Sequence, residues 1–586
     1  MKLEDLGASY ESILDNEVRK AGGVYYTPQY IVEYIVQNTV GKFIENKTPR
    51  EVNAIKIVDP SCGGGIFLIG AYHYLLNWHK DYYTQHGKPG KGRKGDPLTP
   101  TGELTTAEKK RILLNNIYGV DLDSNAVEVT KLSLLLKSME GETKESIETQ
   151  MKLFHDRVLP DLDSNIKSGN SLIDLDYYAN ELDFGEERKV KPFSWQKNFP
   201  DVFKQGGFDC VIGNPPYGAK LSKDAQAYCL EKFHVGSTDT AALFLVQAKK
   251  LLRQGGLNGF IIPKALTYAS NWAKTRKKLL DDMSIIVDCS RVWKQVKLEM
   301  SIYVGFNETP SKSFLSCIRQ GHEIIPIGRI NKALCRKFNF ILNGVSQKEI
   351  QIAQQMIKST KRISDFLTNH RGGMFQQQIK ERGYYKVLGG KQVQRFHMAP
   401  HVGFVNKRDI TETNAFVAMD SLLVQNIVTH IQNPYPRIQI SATIADREIS
   451  EDYVILDTVN QLTNISDVSS KYLLGVINSR IASWFTYRFV YANAIRTMHF
   501  DSTTTKKIPF PELDLANKSE KKKHDEIVKH VDQLLQLNKD LQAATLPERK
   551  GQIQSKIDYC EDRINAIVYE LYGLTEEEVK VIEGEK

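Results

Sequence analysis

A short apolar run, Phe208 to Gly213, is followed directly by Asn214-Pro215-Pro216-Tyr217. Such a run before turn residues predicts a buried strand, and two consecutive prolines end it because proline cannot donate to a strand ladder. Asn214 and Tyr217 are therefore expected at the carboxyl edge of a sheet, where open α/β folds bind ligands. An amide oxygen and a proline carbonyl are two acceptors, and a planar NH2 group has two donors. With its aromatic ring, the tetrad is suited to hold an aromatic amine.

The first half of the chain alternates strand-like and helix-like patterns. Strands are predicted at 55–58, 117–120, 208–213 and 257–262, with another ending near Gly169. A helix is predicted from Asp239 to Gln254, and Gly255-Gly256 is expected to end it. Strands that alternate with helices indicate an α/β fold, and we predict a Rossmann-like doubly wound sheet.

The rest of the chain lacks this alternation, and we predict three domains, 1–315, 316–515 and 516–586. The second is irregular and is predicted to be α+β. The third carries two apolar stripes at helical spacing with Pro547 between them, which predicts a C-terminal helical hairpin. The stripe residues are Ile527, Val531, Leu534, Leu535 and Leu541, then Ile553, Ile557, Cys560, Ile564, Ile567 and Leu571.

Composition excludes several classes of protein. Mean hydropathy is −0.37 and no apolar run approaches the length of a membrane span. The N-terminus lacks the layout of a signal peptide. Seven cysteines occur without a C-x-x-C pair, which argues against a zinc site or disulfide framework and favours a reduced, intracellular compartment. No metal is expected. The net charge of +8 permits a polyanionic partner without demonstrating one.

A glycine-rich loop, Asp59 to Gly65, follows the first strand. It is neither the dinucleotide fingerprint nor a P-loop, but its glycines let the backbone approach a ligand closely. Asp121 ends the next strand, where an acidic residue can bind both hydroxyls of a ribose. The alternative is that Asp121 only lies beside the N-cap of the following helix. Asn170 ends the third strand and could bind an adenine edge, although Gly-Asn is also a simple turn.

Together these pieces resemble the S-adenosylmethionine-dependent DNA adenine-N6 methyltransferases. The order of motifs is that of the TaqI-like (gamma) group, with a C-terminal target-recognition domain, and the resemblance covers nearly the whole chain. The matching segments are 23–28, 59–67, 119–122, 169–172 and 214–217. Asn214-Pro215-Pro216-Tyr217 matches the family's catalytic motif without change. Asn170 departs from it, because the family usually has Asp there.

The resemblance implies a role for each matching residue. Asn214, Pro215, Pro216 and Tyr217 would be catalytic, and Tyr217 and Trp293 would stack on the target base; a core tryptophan is the alternative for Trp293. The residues implied to bind S-adenosylmethionine are Tyr26, Thr27, Pro28, Asp59, Pro60, Cys62, Gly63, Phe67, Asp121, Leu122, Asn170, Ser171, Asn214 and Pro216.

The resemblance also implies an activity and a partner. The enzyme would be a site-specific adenine methyltransferase (EC 2.1.1.72) of a type II restriction-modification system, acting on a flipped-out adenine of double-stranded DNA. Its three domains would be a catalytic domain, a DNA target-recognition domain and a helical region packed on the latter. We expect a monomer in the bacterial cytoplasm, associated with the nucleoid. Candidate phosphate contacts, each otherwise an ordinary surface charge, are Arg371, Lys391, Arg395, Lys407, Arg437 and Arg496.

Three alternatives stay open. The same tetrad occurs in methyltransferases of RNA and of protein glutamine, which would leave the long C-terminal half unexplained. A fused nuclease is not expected, because the cofactor motif already begins near Gly23. A DNA-recognition module without chemistry is disfavoured by the intact tetrad and glycine loop.

Overall fold

A computed structural model of the chain describes residues 27–87, 96–141, 160–178, 190–237, 239–293, 298–307, 311–359, 361–494 and 498–584. It divides into two compact units, Met1–Asn343 and Gly344–Lys586. Of the predicted site residues, Tyr26 lies outside the described ranges, as does the candidate phosphate contact Arg496.

Nine strands of the first unit form one sheet in the order β3-β2-β1-β4-β5-β7-β6-β8-β9. Neighbouring strands among β1 to β5 are parallel, whereas β7 runs antiparallel between β5 and β6. The strands are β1 Ile57–Asp59, β2 Ile117–Asp121, β3 Ile166–Ser168, β4 Phe208–Gly213, β5 Leu252–Pro263, β6 Met283–Ser290, β7 Met300–Phe306, β8 Ser313–Gln320 and β9 Glu323–Asn331. The predicted α/β class with a large, mostly parallel sheet is confirmed.

Helices cover this sheet because their apolar faces must be buried against it. They are α1 Gln29–Val36, α2 Lys42–Ile44, α3 Pro49–Val52, α4 Ile66–His86, α5 Thr106–Asn116, α6 Ser124–Ser138, α7 Trp195–Asn198, α8 Pro200–Lys204, α9 Lys223–Phe233, α10 Thr240–Leu251, α11 Ala265–Tyr268, α12 Ala273–Leu279 and α13 Lys332–Phe338. Helix α4 packs on β1 and β2, and α1 and α10 pack on β5. Every residue of β4 is buried, including Asp209, whose carboxylate pairs with Arg253.

Two details of the prediction differ from the structure. Gly255 and Gly256 do not end a helix: α10 ends at Leu251, and both glycines lie within β5, which begins at Leu252. Gly255 has φ +76°, and the pairing of β4 with β5 shifts register beside it, so glycine here permits a bulge. The first unit also extends past residue 315, because β8 and β9 pair with each other and with β6.

The second unit combines small sheets with helices. A four-stranded sheet has the order β10-β20-β15-β18, a three-stranded sheet the order β14-β11-β19, and β12-β13 and β16-β17 are two-stranded. The strands are β10 Leu367–Arg371, β11 Tyr385–Leu388, β12 Val393–Gln394, β13 His397–Met398, β14 Phe404–Val405, β15 Leu422–Gln425, β16 Thr429–Ile431, β17 Arg437–Gln439, β18 Ala442–Ile444, β19 Tyr453–Ile455 and β20 Val459–Asn464.

The helices of this unit include the predicted C-terminal pair. They are α14 Gln347–Met356, α15 Arg447–Asp452, α16 Ser470–Asn478, α17 Arg480–Phe485, α18 Ser502–Thr505, α19 Lys518–Ala543, α20 Pro547–Leu571 and α21 Glu576–Glu583. Helices α19 and α20 pack together, burying Val531 and Leu534 from one and Ile557 and Ile564 from the other. None of the described helices could cross a membrane.

Candidate active site at the carboxyl edge of the sheet

The carboxyl ends of four parallel strands bring the predicted site residues to one edge. Asp59 ends β1, Asp121 ends β2, Asn170 follows β3 and Asn214 follows β4. These strands are neighbours in the sheet, and parallel strands end on the same side. Residues separated by up to 155 positions in the sequence (59 to 214) therefore converge.

The glycine loop after β1 is bound to the end of β2. The Gly63 N–H donates to Asp121 Oδ2 at 2.8 Å, and the Cys62 N–H donates to the Val120 carbonyl at 3.0 Å. Gly63 has φ +49°, a conformation that glycine adopts without a steric penalty. The Thr130 hydroxyl donates to the Gly63 carbonyl at 2.7 Å. The loop is thus held rigidly with its backbone beside the Asp121 carboxylate.

Two buried carboxyl groups lie at this edge. Burial raises the pKa of Asp59 to about 8, opposed by a hydrogen bond from the Ser61 N–H and reinforced by the charge of Asp121. Burial also raises the pKa of Asp121, although N–H groups of Asp123 and Gly63 donate to it. A Cβ at Gly213 would lie 2.6 Å from Asp59 Oδ1, so glycine is required there. The pair favours a cationic ligand, because a nearby positive charge would stabilise both carboxylates.

Further residues of the predicted set surround the loop. The Leu122 side chain is 49% exposed, which leaves an apolar surface beside Asp121. The buried Ser171 hydroxyl donates to the Pro60 carbonyl at 2.5 Å and joins the β3 end to the glycine loop. Asn170 Oδ1 accepts from the Leu172 N–H at 3.1 Å, the turn contact that was its alternative interpretation. Phe67, the second residue of α4, is buried.

The Asn-Pro-Pro-Tyr tetrad leaves the sheet where the prolines require. Asn214 Nδ2 donates to Thr27 Oγ1 at 3.1 Å, which links the tetrad to the residue just before Pro28 and α1. The Thr240 hydroxyl, at the start of α10, donates to the Pro216 carbonyl at 2.5 Å. Thr240 was not among the predicted site residues, and its place beside the N-cap Asp239 was the available signal.

Tyr217 and Trp293 come together from distant parts of the sequence. Their ring centroids are 6.3 Å apart with the planes inclined by 36°. That spacing is within the range of a directly interacting aromatic pair, so a base could enter between them only if the rings move apart. Tyr217 is buried, whereas Trp293 is half-buried.

The candidate phosphate contacts of the second unit divide into two groups. Arg395 is bound to Glu561 at 2.8 Å and to the Asn478 carbonyl, and Arg371 is bound to Asp457 at 2.8 Å. Lys391 and Lys407 are exposed. Arg395, with 15% of its side chain exposed, serves the packing of its own unit and is a poor candidate for a phosphate contact.

Among the described residues, no three His, Cys, Asp or Glu side chains converge as metal ligands would. The cysteines at 62, 210, 229, 289, 317, 335 and 560 are free and buried. Burial raises the pKa of Cys62 well above its ordinary value, so this thiol of the glycine loop stays protonated and packs as an apolar group.

Comparison with known proteins identifies the domain. The family profile described as Eco57I restriction-modification methylase matches residues 115–291. The chain carries an Eco57I restriction-modification methylase domain. The matched segment runs from just before β2 to just after β6 and so contains Asp121, Asn170 and the Asn-Pro-Pro-Tyr tetrad. The predicted resemblance to adenine methyltransferases of restriction-modification systems is confirmed at this level.

Two relatives found by sequence agree with this assignment. The type II restriction enzyme and methyltransferase RM.Eco57I of Escherichia coli is 32% identical over 266 residues, which are 44% of this chain and 25% of that protein. The adenine-specific methyltransferase PglX of Streptomyces coelicolor is 25% identical over 230 residues, 39% of this chain and 17% of that protein. The chain thus spans a quarter or less of these two relatives.

One solved structure matches nearly the whole chain in fold. The type IIL restriction-modification enzyme MmeI, solved in complex with DNA, superposes with a TM-score of 0.61 at 13% identity, covering 98% of this chain and 80% of that one. The likeness covers residues of both compact units and, at this identity, shows the fold alone.

Proposed function

We propose that this chain transfers the methyl group of S-adenosylmethionine to N6 of a flipped-out adenine in double-stranded DNA, as the modification enzyme of a type II restriction-modification system. The observation that carries the proposal is the Asn-Pro-Pro-Tyr tetrad at the carboxyl edge, beside a glycine loop and two buried carboxyl groups. The methylase family and the names of the relatives favour DNA adenine over the alternatives.

The tetrad's own chemistry is to hold and orient an amine. The nitrogen lone pair of an aromatic amine is delocalised into its ring, which makes it a weak nucleophile. Asn214 Oδ1 and the Pro215 carbonyl would each accept a hydrogen bond from one N–H of the amine. This arrangement would favour a geometry in which the nitrogen lone pair is directed at the methyl donor. The bond from Asn214 Nδ2 to Thr27 supports this, because it turns the amide oxygen away from Thr27. Positioning of this kind accounts for large rate effects.

The aromatic pair would replace the stacking that the target base loses. Flipping a base out of a duplex costs a few kcal/mol, and stacking on aromatic side chains returns roughly 1–3 kcal/mol per base. Tyr217 and Trp293 would separate to admit the base between them. Part of their direct contact is then exchanged for contact with the base.

The residues at the first three strand ends fit S-adenosylmethionine. Asp121 would accept the ribose hydroxyls with lone pairs not used by Gly63 and Asp123, and the exposed Leu122 side chain would pack on adenine. Asp59 and the backbone near Gly63 would bind the cationic amino-acid end, together with Thr27 and Pro28. When bound, the cofactor supplies the reactive methyl group. No metal and no strong general base are part of the proposal.

Cofactor affinity is expected to increase with pH through the titration of Asp59. The folded protein holds this proton up to about pH 8, whereas an unfolded carboxyl loses it near pH 3.9. The contribution of Asp59 to the free energy of unfolding therefore falls as pH rises from about 3.9 to about 8. Over the upper part of this range Asp59 becomes ionised in the folded protein, and the affinity of the site for a cation rises. The limiting slope is about tenfold in Kd per pH unit.

Isothermal titration with S-adenosylmethionine between pH 6.5 and 9 measures this dependence. Asp59→Asn keeps the acceptor for the Ser61 N–H but cannot ionise. Subtracting its pH profile from that of the wild type removes the titration of the cofactor's own amine. Parallel profiles for the two proteins would contradict the assignment of Asp59.

The second unit is proposed to bind the DNA target. The exposed Lys391 and Lys407 would contact phosphates, and affinity should then fall steeply with salt. Tyr384, with 75% of its surface exposed, lies in the same surface depression as Lys407 and Arg408, so an aromatic ring and cations are presented together. In this proposal residues 344–515 recognise the target and residues 516–586 support them, because residues 316–343 belong to the first unit.

Acceptor specificity tests the proposed function. We expect tritiated methyl groups to enter duplex DNA, and mapping of modified bases in a methylation-free host that expresses the chain should show N6-methyladenine at one sequence motif. Methylation of RNA or of protein glutamine in place of DNA would establish the alternative. Absence of cofactor binding would indicate a recognition module without chemistry.

A further inference from the structure

One buried cation lies outside the chemistry proposed above. Lys264 follows β5 directly, and its side chain is 2% exposed. Its Nζ is 2.7 Å from Asp288 Oδ2 and 3.5 Å from Glu299 Oε1, and its N–H donates to the Glu299 carbonyl at 2.9 Å. Asp288 lies in β6 and Glu299 immediately precedes β7. Lys264 therefore binds both flanks of the connection that carries Trp293.

A second cation binds the start of that connection, residues 289–293, which we term the Trp293 segment. Arg319 of β8 donates through Nε to the Cys289 carbonyl at 2.9 Å and through one terminal nitrogen to the Arg291 carbonyl at 2.7 Å. Ser290, between them, has φ +49° and donates its N–H to Asp288 Oδ1 at 3.0 Å. This backbone path is one that a serine rarely adopts, and it needs support from its surroundings.

The strand that carries Arg319 also leads to the helix on the cofactor side. The Tyr30 ring stacks on His322, which follows β8, at 4.8 Å with the planes 9° apart. Tyr30 is the second residue of α1, which begins directly after Thr27 and Pro28. The turn after β8, the strand of Arg319, thus contacts the helix that follows the Asn214 contact.

We propose that Lys264 and Arg319 are positioning residues that hold the Trp293 segment in place for base stacking. The inference rests on the proposed function, since stacking is the role it assigns to Trp293. A buried ion pair is often no more stabilising than apolar packing of the same volume, so what the Lys264 cluster provides is geometry. The planar fork of arginine suits Arg319 because it makes two directed bonds that lysine cannot reproduce.

The first test needs no DNA. Quenching of tryptophan fluorescence by acrylamide is measured for each protein and for the same protein carrying Trp293→Phe. The difference between the two measurements gives the quenching constant of Trp293 alone. We expect this constant to be higher in Arg319→Gln and in Lys264→Met than in the wild type. Arg336→Gln and Lys249→Met are matched controls, because Arg336 pairs with Asp281 and Lys249 with Asp282 at 2.5 Å on the same unit. We expect both controls to match the wild type.

The second test measures turnover on the mapped DNA site. We expect kcat to fall about 10²-fold in Arg319→Gln, the loss typical of a misplaced reacting partner, with an unchanged Kd for S-adenosylmethionine. Arg319→Lys should restore less than half of the lost rate. Arg319 is only half-buried, so Arg319→Gln should fold. This variant still tests the inference if Lys264→Met fails to fold.

The outcomes separate the inference from the proposed function. Wild-type quenching and wild-type kcat in Arg319→Gln would overturn the inference while methylation by the wild type stands. Increased quenching with no methylation by the wild type would overturn the proposed function and, with it, the role in base stacking. A rise in quenching with a loss of kcat supports both.

Discussion

Replacing Asn214 or Tyr217 by alanine is expected to lower methyl transfer about 10²-fold or more, the size of effect typical of lost positioning. Asn214→Ala removes an acceptor for the target amine as well as the bond to Thr27. Tyr217→Ala removes one of the two rings proposed to enclose the base. Single-turnover transfer of tritiated methyl groups to duplex DNA measures the loss.

Folding should be retained in both variants, and Tyr217→Ala should also keep its cofactor affinity. Tyr217→Phe keeps the stacking surface and is expected to stay within about tenfold of the wild-type rate, since one hydrogen bond contributes roughly 0.5–1.5 kcal/mol. Asn198→Ala and Tyr82→Ala remove half-buried side chains from α7 and α4 and should leave the rate unchanged. Wild-type turnover by both Asn214→Ala and Tyr217→Ala would refute the assignment of the tetrad.

Asp121→Ala is expected to weaken S-adenosylmethionine binding about 10²-fold, because hydrogen bonds to a charged group contribute about 1.5–3 kcal/mol each. The carboxylate would accept the ribose hydroxyls, and it also binds the Gly63 N–H at 2.8 Å. Its removal therefore loses ligand contacts and frees the glycine loop. Isothermal titration of variant and wild type at one pH measures the difference.

Asp123→Ala is the matched control for this variant. Asp123 is two residues away and caps α6 by accepting from the Asn125 N–H at 2.9 Å. Its loss should lower the free energy of unfolding by about 1 kcal/mol with little change in cofactor affinity. Equal affinities for Asp121→Ala and wild type would show that Asp121 only holds the loop.

Much of the fold could be predicted because local pattern and tertiary structure agree. The prolines after Gly213 forced β4 to end where it does, and the alternation of strands with helices indicated a mostly parallel sheet. Gly255 and Gly256 were misinterpreted because a glycine pair that ends a helix and one that forms a strand bulge look alike in sequence. Only the pairing of β4 with β5 distinguishes them.

The site was predictable as a set of residue types at strand ends. Asp59, Asp121 and Asn214 each follow an apolar run, and residues at the ends of parallel strands must share an edge. What each carboxylate does there was not predictable. The raised pKa of Asp59 arises from burial beneath Gly213 and from the charge of Asp121, which are contacts across three strands.

Sequence alone determined the tetrad, the glycine loop and their order. These features depend on the backbone conformations of proline and glycine and on strand periodicity, and both act over only a few residues. Tertiary structure alone decided that Thr27 binds Asn214, that Trp293 lies 6.3 Å from Tyr217 and that Lys264 and Arg319 hold the Trp293 segment. These contacts join residues 24 to 187 positions apart (264 to 288, 27 to 214). Local sequence patterns cannot predict contacts between residues so far apart in the chain. The packing of the sheet and its connections fixes which of these side chains meet.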